Sequence, residues 1–510
     1  MNRFLPFLLL FTTWISPVLA DAPVADLIKA GDREGALSLV RAGADINAPQ
    51  NDGTTALLWS VYKVDEELTA TLLRNEANPD SQNNFGATPL AEAARVANPA
   101  LVAMLLEAGA NPNLANADGQ TPLMLAAWTG NVEVARLLID HGAQVNAEEN
   151  WTGQNALMWA ASRHHPAMVS LLIDSGANVN VRARVFDWRR QITSEPRNQY
   201  RPVGGLTPLL YAARSGCTGC VRDILEAGAD INLPTPEGVT PLLVTIDNFH
   251  FDTANTLLDA GADPKSFDWW GRTPLYSAID VRTIESRGQI LDSTQQQAAL
   301  DLARRLLDMG VMVDATLNFG RPGTGGGNGR FMDEHLTTGT TTLLRAAVSH
   351  DHEAVALLLD YDADVDRPNI FGATPLIVAS GLATPRGLLS DGSVYSAPNV
   401  QERAIKTISL LLDAGADINA RVTDTSSYTA LIPRHNAMTD RQGQTAIFGP
   451  GKWGWMDVAE FLVANGADVD VVDDFGKTPV DSARAQAGGE QEEIWEELAA
   501  NLEQQMGSDG

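Results

Sequence analysis

Residues 119–146 read GQTPLMLAAWTGNVEVARLLIDHGAQVN. Two helices are written into this stretch. Thr121 stands before Pro122, a pair that starts a helix: the hydroxyl can cap free N–H groups, and proline's fixed φ suits a first position that needs no N–H. Apolar residues recur at helical spacing through LMLAA and again through VEVARLLID. Ala126 and Ala127 are small enough to let two helices approach closely. Gly142 ends the second helix, because only glycine takes the left-handed conformation there without strain. One such helix pair cannot bury its apolar face alone, so it needs neighbours of its own kind.

The chain supplies them. The phrase opens at Gly53 (GTTALLWSV), Gly86 (GATPLAEAA), Gly119, Gly153 (GQNALMWAA), Gly205 (GLTPLLYAA), Gly238 (GVTPLLVTI), Gly271 (GRTPLYSAI), Gly339 (GTTTLLRAA), Gly372 (GATPLIVAS), Gly443 (GQTAIFGPG) and Gly476 (GKTPVDSAR). The basic period is 33, as from Gly53 to Gly86. Most phrases are followed by a second glycine phrase, such as GANPN at 109–113, GADIN at 228–232 or GADVD at 466–470.

Gly-x-Thr-Pro-Leu, paired alanines, a Leu-Leu helix and Gly-Ala-Asp at this period resemble the ankyrin repeat family, over nearly the whole chain after residue 20. The resemblance implies an all-α repeat solenoid of helix-turn-helix-hairpin units spanning 21–510. About eleven repeats follow an incomplete one at 22–47, and the acidic segment EQEEIWEELAANLEQQ at 490–505 forms a cap. It also implies a non-catalytic scaffold that binds a partner protein through a concave groove, with no cofactor. The family's variable groove positions, just after the alanine pair, fall here on Tyr62, Arg95, Trp128, Arg163, Arg214 and Trp453.

The chain has a formal net charge of -28, which repels nucleic acid. Residues 1–20, MNRFLPFLLLFTTWISPVLA, carry an early arginine, a short apolar run and small residues at the end. That is the pattern of a secretory signal peptide, and it predicts a secreted or periplasmic protein with no membrane insertion after cleavage. The apolar run is too short for a comfortable span.

Three intervals between phrases are too long: Gly153 to Gly205, Gly271 to Gly339 and Gly372 to Gly443. The surplus falls in hairpins near 182–204, 315–338 and 420–442, and between helices near 281–297 and 383–402. The three hairpin insertions hold eleven arginines against six acids. Arg189, Arg190, Arg197 and Arg201 in the first are candidates for contact with an acidic or phosphate-bearing partner surface, because arginine offers a rigid bidentate fork. An anionic glycan or lipid headgroup is the alternative ligand, and pairing with the array's own acids is the alternative role. The glycine-rich NFGRPGTGGGNGRFMDEH at 318–335 matches no phosphate-loop pattern.

In the tenth repeat, QTAIFGPGKWGW at 444–455, Pro450 and Gly451 stand where others have alanines. Proline in a helix interior costs about 3 kcal/mol. This predicts a broken inner helix that presents Lys452 and Trp453 at the groove.

Cys217 and Cys220, in SGCTGCV, fit a local disulfide staple in an oxidising compartment. Free thiols and a redox pair are the alternatives, though a redox motif belongs in a thioredoxin-like context. His165 and His250 hold equivalent positions two repeats apart, about 20 Å, whereas zinc ligands sit about 2 Å from the ion. With His164 they read as turn histidines, and no metal site is expected. No serine-hydrolase or zinc-protease motif occurs. Asn150-Trp151-Thr152 fits a glycosylation sequon.

Overall fold

The computed structural model describes residues 22–187, 202–283, 291–318, 338–382, 399–423, 441–485 and 492–506. It divides into two compact units, residues 1–184 and 185–510.

The first unit is a stack of helix pairs: Pro23–Ala30 with Arg33–Arg41, Ala56–Tyr62 with Glu66–Arg74, Pro89–Arg95 with Pro99–Glu107, Pro122–Thr129 with Val132–Asp140, and Ala156–Ser162 with Pro166–Asp174. Within each pair the two helices pack together, and each first (inner) helix packs on the next. Residues 22–47, expected as an incomplete repeat, form both helices. Thr55, Thr88 and Thr121 each accept from the N–H three residues on, and Pro89 and Pro122 fill the first helical position. Leu57, Leu90, Leu123 and Leu157 are buried between inner helices, with Ala93, Ala126 and Ala160 closing the approach.

The polar residues of the Gly-Ala-Asp phrase tie one repeat to the next. The side chains of Asn47, Asp80, Asn113 and Asn146 accept from the backbone N–H of Asn78, Asn111, Gln144 and Asn178, at 2.7–2.8 Å. Each bond satisfies a loop N–H that the helices cannot.

The second unit repeats the scheme from Pro208–Ser215 to Pro479–Arg484, the latter packed against the C-terminal helix Glu492–Met506. The insertions leave two marks on it. Val185–Asp187 pairs antiparallel with Pro202–Gly204, so the first enlarged hairpin has a β-ribbon at its base. Between helices, part of the surplus lengthens the outer helices: Ser293–Asp308 has 16 residues and Val400–Asp413 has 14, against 9 for Thr218–Glu226. Among the described residues, no helix is long and apolar enough to cross a membrane.

The tenth repeat corrects the sequence expectation. Phe448–Trp453 is a helix, not a break. It starts late: N–H groups of Phe448 and Gly449 bond to the carbonyls three residues back, Thr445 and Ala446. Pro450 thus becomes the third helical residue, where a missing N–H has no intrahelical partner to lose. Thr445 Oγ1, which would cap an earlier start, has no hydrogen-bond partner. Gly449 is required by proximity, since a Cβ there would run into the Ser380 carbonyl oxygen.

Candidate interaction face

In the first unit the inner helices present one register of side chains outward. Nine residues after the turn glycines Gly53, Gly86 and Gly119 come Tyr62, Arg95 and Trp128; all three are exposed, Tyr62 at 52% and Trp128 at 46%. One turn earlier, and half-buried beneath them, come Trp59, Glu92, Leu125 and Trp159.

The local sequence fixes Trp128 from below. Its helix ends at Gly130, whose φ is 74°. A Cβ on Gly130 would lie 2.7 Å from the His165 ring, so the imidazole occupies the space that glycine leaves. His165 Nε2 donates to the Trp128 carbonyl at 3.2 Å. His165 is therefore a turn residue, as expected, and it braces the end of the helix carrying Trp128. Above, the Arg163 guanidinium carbon lies 3.1 Å from the Trp128 ring centroid. Trp159 meets Trp128 nearly edge-on, with centroids 5.5 Å apart. Arg163 also caps the C-terminal end of its helix, where the peptide dipoles favour a cation.

Arg95 is already engaged. Its Nε and Nη2 donate to the two carboxylate oxygens of Glu92 at 2.8 and 2.5 Å. That hydrogen bonding holds the Arg95 proton more tightly than usual. Tyr62 meets Trp59 edge-on at 5.4 Å. Trp59 Nε1 donates to Gln50 Oε1 at 2.8 Å, and Lys29 Nζ lies 5.4 Å from its ring. The result is an aromatic and cationic row on an acidic chain. Trp59, Glu92 and Trp159 were not singled out from the sequence; their signal was recurrence six residues after the turn glycine.

In the second unit the same register changes character. Arg214 is exposed, 5.0 Å from the Tyr211 ring, and His250 Nε2 donates to its carbonyl at 3.2 Å. Beyond it the register turns inward. Asp280, Arg345 and Val348 are buried, and Arg345 pairs with Asp280 and donates to Thr283 Oγ1 at 3.0 Å. Arg282, also buried, bonds Asp351 at 2.7 and 3.0 Å and Glu353 at 2.8 Å. Burial opposes the charge of Arg272, but Asp247 and Asp268 outweigh it and hold the guanidinium protonated. Burial pushes the His350 imidazole down to about 4; its Nε2 donates to the Ala379 carbonyl at 2.9 Å.

Lys452 and Trp453, expected at the groove, are half-buried and turned against the ninth repeat. Trp453 Nε1 donates to the Gly381 carbonyl at 2.9 Å and its ring stacks on Trp455. Gly381 is needed there, because a Cβ would lie 2.8 Å from the indole. Lys452 Nζ donates to the Leu382 carbonyl at 3.4 Å.

Cys217 and Cys220 form a disulfide and both are fully buried. They are the N-cap and third residue of helix Thr218–Glu226. In other repeats this pair is Asp65 with Leu68, Asn98 with Leu101 and Asn131 with Val134, where the cap side chain accepts the third residue's N–H at 2.9–3.1 Å. Cys217 Sγ accepts the Cys220 N–H at 3.2 Å. The disulfide is a covalent version of the same cap.

Arg189, Arg190, Arg197 and Arg201 lie outside the described residues, as do most residues of all three hairpin insertions. Among the described residues no group of three His, Cys, Asp or Glu side chains could hold a metal ion. An open depression of about 650 Å³ beside Val64, Asn98 and Glu133 gathers no nucleophile with a base.

No curated protein matches the chain. A family model for ankyrin repeats (3 copies) matches residues 26–116, 93–183, 191–268 and 209–290. Beyond residue 290 the threonine-capped inner helices continue at Thr341, Thr374 and Thr478. Ankyrin repeats generally mediate protein–protein interaction and are typically not enzymes. From its repeats and its capped helix pairs alike, the chain belongs to the ankyrin repeat family.

Proposed function

We propose that the protein is an exported, non-catalytic scaffold that holds a partner protein on the inner-helix face of its first unit. The observation that carries this reading is the exposed row Tyr62, Arg95, Trp128 and Arg163, underlain by Trp59 and Trp159. Aromatic rings and arginine are the side chains that most often anchor protein interfaces. Such residues scattered singly on a surface are ordinary, but here they fall on successive inner helices that pack on one another. The arginines of the insertion at 182–204 are proposed to add contacts.

Export rests on the signal-like residues 1–20 and is favoured by a disulfide buried in the array, which suits an oxidising compartment. Burial of both cysteines speaks for a structural cap over redox exchange, since an exchanging thiolate must be reached by its substrate.

The test is capture from the exported fraction of the native cell, with wild-type protein and a Trp128→Ala/Arg163→Ala variant as baits. A partner retained by the first and lost by the second is expected. Equal retention by both baits, or reductase activity that needs Cys217, would replace this reading.

A further inference from the structure

The arginines of the first unit's inner face are not equivalent. Arg95 has its fork closed on Glu92. Arg163 is exposed, has one face of its guanidinium against the Trp128 ring, and has no carboxylate within ion-pair distance among the described residues. Stacking fixes the plane of a guanidinium and leaves its in-plane N–H edge free for a planar oxygen pair. The indoles of Trp128 and Trp159 also displace water from one side of the charge, which strengthens whatever it binds. The neighbouring charged or titratable groups are His164 and His165 in the adjoining turn, and the closed Arg95–Glu92 pair on a preceding inner helix.

We infer that Arg163, stacked on Trp128, receives the carboxylate of an aspartate or glutamate side chain in an extended segment of the partner protein. The inference rests on the reading of this face as a docking surface. A carboxylate fits better than a phosphate because Arg163 stands at a helix C-terminus. The dipole there disfavours a second negative charge. The remaining contacts follow from the spacing. Repeats lie about 10 Å apart and an extended chain advances about 3.3 Å per residue, so three residues span one repeat. An apolar or aromatic side chain roughly six residues from the carboxylate then reaches the Trp59 and Tyr62 rings.

A random dodecapeptide library, displayed through its C-terminal ends so that only side-chain carboxylates are offered, tests this on the full chain. Peptides selected on wild-type protein are expected to carry Asp or Glu at a fixed distance from an aromatic or aliphatic residue. Changing that Glu to Gln in a selected peptide should weaken binding about tenfold, the size of a charge-assisted hydrogen bond. Arg163→Met, which keeps the stem over Trp128, should bind the Glu and Gln peptides equally, whereas Arg95→Gln should still prefer Glu. Two results would overturn the inference in distinguishable ways. Peptides that need Trp128 but bind the same as Glu or Gln would remove the carboxylate and leave the docking face standing. Peptides indifferent to Trp128→Ala and Trp59→Ala, with both variants shown to be folded by thermal unfolding, would remove the face as well.

Discussion

Two sets of inner helices occupy the same register and treat it oppositely. Before residue 185, the ninth position after the turn glycine holds Tyr62, Arg95 and Trp128 in solvent. Between residues 271 and 381 it holds Asp280, Val348 and Gly381, all buried. Arg163, one position further along an inner helix of the first set, stacks on a ring and has no carboxylate within ion-pair distance among the described residues. An arginine in the second, Arg345 or Arg282, is enclosed with one or two carboxylates. An arginine on an inner helix or the turn after it can therefore stand open or fasten the fold. Burial and the identity of the nearest acid decide it.

The comparison breaks first at the buried pairs. Arg345→Leu removes the guanidinium facing Asp280 and should cost about 3–5 kcal/mol in urea unfolding, the usual loss when half of a buried ion pair is deleted. Arg95→Gln, at an exposed pair, should cost less than about 1 kcal/mol. Equal costs would mean that the two registers are not energetically different.

Acid sharpens the contrast next. His350 stays neutral in the folded chain down to about pH 4, whereas an unfolded imidazole takes its proton near pH 6.5. The unfolded state binds the extra proton between these values, so stability falls as pH drops from about 6.5 towards 4, by up to about 3 kcal/mol. His350→Asn tolerates the residue's left-handed φ of 51° and should flatten that dependence. The slope of stability against pH, compared between the two proteins, checks it.

A smaller effect is expected at the covalent cap. Reduction of Cys217–Cys220 should lower stability by about 2 kcal/mol, because the closed loop is short. Cys217→Asp/Cys220→Leu, which restores the pair found at Asp65 and Leu68, should recover most of it. A double variant no more stable than the reduced protein would show that the disulfide does more than cap a helix.

The fold was legible because an ankyrin-type unit repeats its punctuation: threonine caps, proline at the first helical position, glycine after the second helix. The exposure of the row Tyr62, Arg95, Trp128 and Arg163 was legible from its place at and just after the ends of the inner helices. Its lower tier was not: Trp59 and Trp159 sit inside the apolar run of their helices and Glu92 interrupts it, so only their half-burial sets the three together. Pro450 misled because a helix can shift its start by two residues and turn a forbidden interior position into a permitted early one. Lys452 and Trp453 misled with it: the groove glycine at 381 made room for an indole from the next repeat, a pairing between distant residues that no local pattern records. The lengthening of Ser293–Asp308 was equally hidden, since an insertion's length does not say how much of it joins a helix.

The most direct measurement is partner affinity and thermal unfolding on the same Trp128→Ala/Arg163→Ala protein. A docking face that the fold does not need predicts unfolding changed by less than about 1 kcal/mol and affinity reduced at least about tenfold. Unchanged affinity, or an array that melts with the substitution, would place these residues with Arg345 and Asp280 among the clasps of the fold.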